Sequence, residues 1–344
     1  MIKEILQEAF LLKTKRYYKH AIEKFYKAID SENTSLELLH EIAHCYFLMN
    51  NEERALNYIE QILEQNPIHT ESLKLLKEIF IKKQAWNEAE QTAKNIYTIT
   101  NDIQDLIEIF KYLNIQRKHE EIFNYNYPQE DPDLFYEIAF ANFSVKNLEK
   151  AFYYINKALD FDIKNEKYLI LKGKILLENN SDKEAYEILK VIQFNVENYD
   201  VLNFFGTVYQ RCGEYKKSIE CFKNCLKITE KKDECYYNCG STYFKMEDFE
   251  QAKKYYNLAM SKNPNQAKYH LALANLYYAE KNYKRAYEEI QDNSYESRLL
   301  KAIILFDSGY HAISKKEFEK LAEEMPEDDI VKNYLRMIDN ELKI

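Results

Sequence analysis

Small residues recur in this chain at a nearly constant spacing of 34 positions. The series begins with Ala21, Ala55 and Ala89. It resumes later in the chain with Ala151, Ala185, Ser218, Ala252 and Ala286. A period of this length is typical of repeat proteins, in which each unit buries its apolar face against the next unit. The spacing therefore predicts a repeat array rather than two or three separate globular domains.

The stretch from Asp233 to Gln266 is the clearest copy of the repeat. Counted from Asp233, the residues at positions 4, 7, 8, 11, 20, 24, 27 and 32 are Tyr236, Cys239, Gly240, Tyr243, Ala252, Tyr256, Ala259 and Pro264. This pattern resembles the tetratricopeptide repeat, a helix–turn–helix unit of roughly 34 residues. The resemblance implies an all-α fold, namely a right-handed α-solenoid of about ten such units with a C-terminal capping helix.

Close packing explains the small residues. Positions 8 and 20 lie where the two helices of a unit cross, and position 27 lies where the second helix meets the next unit, so a large side chain would hold the backbones apart. The glycines agree with this, because Gly173, Gly206 and Gly240 take position 8 and Gly213 and Gly309 take the turn between the helices. Prolines at position 32 end the second helix.

The period divides the chain into four segments. They are units 1–3 over residues 2–101, a short fourth unit and loop over 102–131, units 5–10 over 132–327, and the capping helix over 328–344. The fourth unit lacks the small-residue pattern, and the stretch NYNYPQEDPD near its end predicts a short second helix followed by a loop. Whether this segment also breaks the superhelix is left open by the sequence.

Composition excludes several classes of protein. The net charge of −9 argues against a protein that binds nucleic-acid phosphates, which needs clustered lysine and arginine. No apolar run approaches the ~20 residues that span a bilayer, and the N-terminal apolar run contains charges, so neither membrane insertion nor a signal peptide is expected. Six cysteines without such a signal indicate reduced thiols and a cytoplasmic location. No cofactor is expected.

One short motif points to metal chemistry. His40, Glu41 and His44 match H-E-x-x-H, in which two histidines on one helix face bind zinc and the glutamate acts as a general base. Glu78 is the nearest third ligand that the repeat pattern offers. The residues between the histidines fill core positions of the second unit, so we favour ordinary histidines on the concave face and a protein that is not an enzyme. A zinc-dependent hydrolase is the third hypothesis for function.

A cluster of cysteines allows two interpretations. Cys221 and Cys225 are four residues apart on one predicted helix, and Cys235 and Cys239 are four apart on the helix that should face it. Two facing pairs could bind a metal or form disulfides. Alternatively, the four side chains are small apolar core residues, which we favour.

The resemblance also implies a binding surface. In this family the first helices of successive units line a concave groove that binds extended peptides. The residues at these positions are Asn203, Phe204, Thr207, Arg211, Tyr237, Asn238, Ser241, Phe244, Lys245, Lys268, Asn275, Tyr136 and Phe140. Only Asn238 and Lys268 match the carboxylate clamp of chaperone adaptors, so that specific activity is not predicted.

The leading hypothesis is therefore a non-enzymatic scaffold or adaptor. It would bind a protein or peptide segment in the groove and belong to a larger complex. The alternative is a regulator in which a bound peptide changes the pitch of the superhelix.

Overall fold

A computed structural model describes residues 2–29, 35–126 and 130–341, and all regular secondary structure within these ranges is α-helical. The first eleven helices are α1 (Ile2–Thr14), α2 (Tyr18–Ile29), α3 (Leu36–Leu48), α4 (Glu52–Gln65), α5 (Thr70–Lys82), α6 (Trp86–Thr100), α7 (Ile103–Ile115), α8 (His119–Ile122), α9 (Pro132–Ser144), α10 (Leu148–Phe161) and α11 (Glu166–Glu178). The remaining ten are α12 (Asp182–Leu189), α13 (Tyr199–Arg211), α14 (Tyr215–Ile228), α15 (Lys232–Lys245), α16 (Phe249–Lys262), α17 (Ala267–Ala279), α18 (Tyr283–Glu289), α19 (Tyr295–Asp307), α20 (His311–Glu324) and α21 (Asp329–Glu341). The all-α prediction is confirmed.

The chain forms two compact bodies, residues 1–175 and residues 176–344. In each body a first helix (helix A) is followed by a second helix (helix B), and the two pack together, as α3 does with α4 and α15 with α16. The last helix, α21, corresponds to the predicted capping helix, although residues 342–344 of that segment lie outside the described residues. Residues 127–129 of the predicted loop also lie outside them.

Asparagine and aspartate side chains start many of these helices. The side chain of Asp131 accepts hydrogen bonds from the backbone N–H groups of Asp133 (2.8 Å) and Leu134 (3.2 Å), and Pro132 opens α9. The first N–H groups of a helix have no partner inside the helix, so such a cap stabilises its start by about 1 kcal/mol. Equivalent caps are formed by Asn51, Asp102, Asn147, Asn198, Asp248 and Asn282.

The small residues at position 20 lie in the core as predicted. All eight members of the series, from Ala21 to Ala286, are fully buried. One apolar cluster continues through the short fourth unit, because Ala89 of α6, Phe110 of α7, Ile122 of α8 and Ile138 of α9 belong to it. The core of the first body is therefore not interrupted at residues 102–131.

Three helices B are short. The four-residue α8 agrees with the short second helix expected in the fourth unit, and α18 has seven residues and ends at Glu289. The eight-residue α12, which ends at Leu189, was not predicted. Neither glycine nor proline occurs between residues 182 and 198, so the sequence contains no residue that marks its end.

A left-handed residue occurs in the turn between helix A and helix B of every unit. These residues are Arg16, Asn50, Gln84, Arg117, Lys146, Asn180, Gly213, Glu247, Lys281 and Gly309. This conformation costs a residue with a side chain about 1–2 kcal/mol, because its Cβ approaches the following carbonyl oxygen. Only two of the ten turns use glycine, so the others could not be located from their glycine content.

Gly213→Ala is expected to lower the free energy of unfolding by about 1 kcal/mol. The backbone φ of Gly213 is 79°, and no other atom lies within 4 Å of the position that a Cβ would take, so the cost comes from the backbone alone. Lys281→Ala is the control, since Lys281 already has a Cβ at a φ of 60°. Urea denaturation of the two variants measures the difference. Equal effects would show that the left-handed turn does not restrict the residue type.

Candidate partner-binding surfaces

The helices A of the second body share a polar and aromatic face, which we call the helix-A face of α13, α15 and α17. The side-chain amide of Asn238 on α15 donates a hydrogen bond to the side-chain oxygen of Asn203 on α13, at 3.1 Å. The ammonium of Lys268 on α17 lies 5.2 Å from the ring centres of both Tyr237 and Tyr269. The structure thus brings Asn203, Tyr237, Asn238 and Lys268 close together.

Other predicted residues on this face use part of their hydrogen-bonding capacity within the protein. The Thr207 hydroxyl donates to the carbonyl of Asn203 (2.8 Å), and the Asn275 amide donates to the carbonyl of Leu271 (2.9 Å). Arg211 forms an ion pair with Asp182 at 2.9 Å. These contacts fix the orientation of the side chains. They also limit the hydrogen bonds and ion pairs that Arg211 can form with a partner.

The remaining four predicted residues of the second body differ in exposure. Ser241 is half-buried, and Phe244 packs against Phe249 with ring centres 5.7 Å apart. Lys245 is exposed, and partial burial followed by the nearby Arg211 lowers the pKa of its ammonium. Phe204 is only 1% exposed, so it belongs to the core and offers no surface to a partner. We therefore remove Phe204 from the candidate surface.

In the first body, Tyr136 and Phe140 line an open cavity of about 400 Å³ between helices A. The other lining residues are Lys111, Asn114 and Ile115 of α7, Glu137 of α9 and Lys167 of α11. We call this site the α7–α9–α11 cavity. The sequence predicted the two aromatic residues but none of the other five.

The α7–α9–α11 cavity contains two buried polar side chains. Glu137 is 6% exposed and Asn114 is 7% exposed. The Asn114 amide donates to the Glu137 carboxylate at 2.9 Å, and the Asn114 oxygen lies 3.0 Å from Nδ1 of His119. Burial raises the pKa of the Glu137 carboxyl, and the hydrogen bond from Asn114 and the charge of Lys167 oppose this shift. The network fixes the carboxylate beneath the aromatic residues.

Lysines lie on two sides of this cavity. Nζ of Lys167 lies 3.5 Å from the Asp133 carboxylate, 3.7 Å from the Glu137 carboxylate and 3.7 Å from the ring centre of Tyr136. Lys111, on the opposite helix, is exposed. A charged residue within the otherwise apolar stretch LFYEIAF was the one sequence signal for Glu137.

The repeat pattern is shared with known proteins. Two family models described as tetratricopeptide repeat match residues 36–69 and 199–262. A TPR repeat-containing protein of Methanocaldococcus jannaschii is 27% identical over 305 residues, which cover 83% of this chain and 51% of that protein. Residues 36–69 and 199–262 are therefore tetratricopeptide repeats. The resemblance proposed from the sequence is therefore confirmed.

Further similar proteins agree with this assignment. The BBSome complex member BBS4 of Bos taurus is 23% identical over 293 residues, covering 84% of this chain and 50% of BBS4. This tetratricopeptide repeat chain thus spans about half the length of the curated relatives it matches. The solved APC/C hetero-tetramer Cut9–Hcn1 aligns with a TM-score of 0.58 at 11% identity, covering 98% of this chain and 76% of the solved chain.

A second solved structure also supports the fold. A tetratricopeptide repeat protein from Parabacteroides merdae aligns with a TM-score of 0.52 at 15% identity, covering 78% of this chain and 98% of that one. These likenesses confirm the α-solenoid fold class. Among the residues that the structure describes, no helix combines the length and apolar character needed to cross a membrane.

The histidines of the H-E-x-x-H segment have other neighbours in this tetratricopeptide repeat protein. Nδ1 of His44 lies 3.0 Å from the ammonium of Lys13, which also forms an ion pair with Glu41. Burial lowers the pKa of both His40 and His44, which favours their neutral forms. Glu78 is exposed. Within the described ranges, no group of three or more His, Cys, Asp or Glu side chains is placed to hold a metal ion, so the zinc-dependent hydrolase gains no support.

The two cysteine pairs do meet, and all four side chains are buried free thiols. Cys225 on α14 and Cys235 on α15 are joined by a hydrogen bond, which with burial raises the pKa of the Cys225 thiol. Burial raises the pKa of Cys221 and Cys239 to about 12 each. Metal-binding and reactive cysteines need the thiolate form, which is disfavoured at Cys221, Cys225 and Cys239. The hydrogen bond with Cys225 lowers the pKa of the Cys235 thiol, against the effect of burial. The geometry therefore favours the core interpretation.

One thiol of the six is expected to react rapidly with a disulfide reagent such as DTNB near pH 8. It is Cys212, which is exposed, whereas the other five are buried. Cys212→Ser should abolish the fast phase, and all remaining thiols should react after unfolding in urea. Fast reaction of two or more thiols in the native Cys212→Ser variant would contradict the buried placement of the cluster.

Proposed function

We propose that this chain is a non-enzymatic scaffold that binds a protein segment along the helix-A face of α13, α15 and α17. The observation that carries the proposal is the Asn203–Asn238 pair beside Tyr237 and Lys268. Each side-chain amide has two donor hydrogens and an oxygen with two lone pairs, so one bond between the two leaves capacity for the backbone of a bound segment. Tyr237 supplies an aromatic ring of the kind that dominates binding energy at interfaces.

The named relatives support a role in assembly. One is described as a member of the BBSome complex, and the solved Cut9 chain was crystallised in a hetero-tetramer with Hcn1. Stacked repeats supply extended binding surfaces. We infer that this chain likewise acts by holding a protein partner, which can be one component of a larger complex. The peptide-gated regulator stays a prediction, since no contact among the described residues favours it.

Site-specific photo-cross-linking tests the proposed face. A photoreactive phenylalanine derivative replaces Ser241 on α15 in one variant and Asn257, which is exposed on α16, in the other. The full chain is then irradiated in extract from its source organism. We expect protein adducts from position 241 and few from position 257. Adducts found only at position 257 would place the partner on helices B and would contradict the proposal.

A further inference from the structure

We propose that the α7–α9–α11 cavity binds a short acidic peptide segment that inserts one apolar side chain. This inference rests on the proposed function, because it names the chemistry of a segment that the scaffold would hold. It concerns a second surface, on the first body of the chain, that is separate from the helix-A face of α13, α15 and α17.

The lining of the cavity suits an apolar side chain. Ile115, the last residue of α7, is 52% exposed, and the half-buried rings of Tyr136 and Phe140 lie on α9. A volume of about 400 Å³ falls in the range of ~300–1,000 Å³ that is typical of ligand sites. An aromatic or branched aliphatic side chain entering here would remove apolar surface of both molecules from water.

The charges around the cavity favour acidic residues next to that side chain. Lys167 already has the carboxylates of Asp133 and Glu137 within 4 Å. Lys111 forms no ion pair with any described residue. Its positive charge lowers the pKa of the Glu137 carboxyl without direct contact. Its ammonium is therefore available to a carboxylate of the segment. A lysine or arginine beside Lys111 would meet a like charge there, since Lys167 is already paired with two carboxylates.

The buried polar side chains at the base of the cavity already have hydrogen-bond and ion-pair partners within the protein. This restricts the part of the ligand that can bind beside them. Glu137 accepts a hydrogen bond from Asn114 and has Lys167 beside it. The neighbouring His119 has its pKa lowered by burial, and then by Arg117, which favours the uncharged imidazole. The buried polar groups therefore offer no unpaired positive charge to an acidic residue. We expect carboxylates of the segment to bind at the edge of the cavity, beside Lys111.

The probes are three fluorescein-labelled peptides of equal length with a central Phe-Leu pair. The pair is flanked by Asp and Glu in the first peptide, by Ser in the second and by Lys in the third. Fluorescence anisotropy with the full chain should show the acidic peptide binding about tenfold or more tightly than the serine peptide. This preference should weaken with added salt, because Lys111 is exposed to solvent.

Two pairs of variants test the two parts of the site. Lys111→Glu should weaken the acidic peptide about tenfold, whereas Lys150→Glu, at an exposed lysine on α10, should leave it unchanged. Ile115→Ser should weaken the same peptide, whereas Ile163→Ser, at a residue 74% exposed elsewhere in the first body, should not. All four positions are on the surface, so circular dichroism should show native helix content in each variant.

Equal affinities for the three peptides, or equal losses in Lys111→Glu and Lys150→Glu, would overturn this inference. Absence of binding by the acidic peptide would also overturn it. The scaffold proposal is judged separately, since it depends on adducts at position 241 in the second body. Adducts there without peptide binding would remove the cavity as a site and leave the scaffold.

Discussion

Phe318→Ala is expected to lower the free energy of unfolding by about 3–5 kcal/mol. Phe318 of α20 is fully buried, and its ring stacks on Tyr334 of the last helix, α21, with ring centres 4.9 Å apart and planes 11° apart. The ring of Phe306 of α19 is nearly perpendicular to that of Tyr334, with ring centres 5.3 Å apart. Truncation to alanine removes the buried ring and leaves a cavity beneath α21.

The Phe318→Ala substitution should weaken the attachment of the whole of α21. This helix buries Val331 and Ile338 against the same cluster, so its release would expose the apolar end of the repeat array. Repeat arrays need a polar outer face at their ends to stay dispersed in water. We therefore expect Phe318→Ala to increase proteolytic cleavage within α21 in addition to shifting the urea transition.

Ile313→Ala is the matched control for this experiment. Ile313 lies on the same helix as Phe318 but is 54% exposed, so its truncation should change the free energy of unfolding by less than about 0.5 kcal/mol. Urea denaturation followed by circular dichroism gives both values. Similar values for the two variants would show that α21 does not depend on Phe318 for its attachment.

The helix pairs were predictable because close backbone contact leaves little choice of residue. Ala55 and Ala252 have no exposed surface at the crossing of two helices, and a larger side chain there would separate the backbones. The same small residue types therefore recur at these positions in successive units. The period of the repeat can be read directly from their spacing. The left-handed turns were harder to predict, because residues as different as Arg117 and Glu247 occupy them.

The two candidate surfaces were less predictable, for a different reason. Repeat position gives the direction in which a side chain leaves its helix, but neighbouring side chains decide how much of it stays exposed. Phe204 and Asn203 are adjacent on α13 and were both assigned to the groove, yet Phe204 is covered and Asn203 is half-exposed. Lys111 and Asn114 lie in the short fourth unit. Because this unit lacks the small-residue pattern, the repeat numbering could not be applied to them.

Gly240→Ala is expected to lower the free energy of unfolding, although alanine favours helix formation by about 1 kcal/mol over glycine. A Cβ on Gly240 would lie 2.6 Å from a ring carbon of Tyr256 and 3.2 Å from the carbonyl oxygen of Ala252. Tyr256 is 3% exposed, so its ring has little room to move away. Such overpacking costs about 1–3 kcal/mol, which exceeds the gain in helix propensity.

The sign of the effect should reverse when the ring is removed. In a Tyr256→Ala background both ring carbons closest to the added Cβ are absent, so Gly240→Ala should be neutral or should stabilise the protein by up to about 1 kcal/mol. The four proteins of this double-mutant cycle are compared by urea denaturation. Additive effects of the two substitutions would show that the aromatic ring does not require glycine at position 240. Non-additive effects would show directly why the repeat combines a glycine at position 8 with a large ring at position 24.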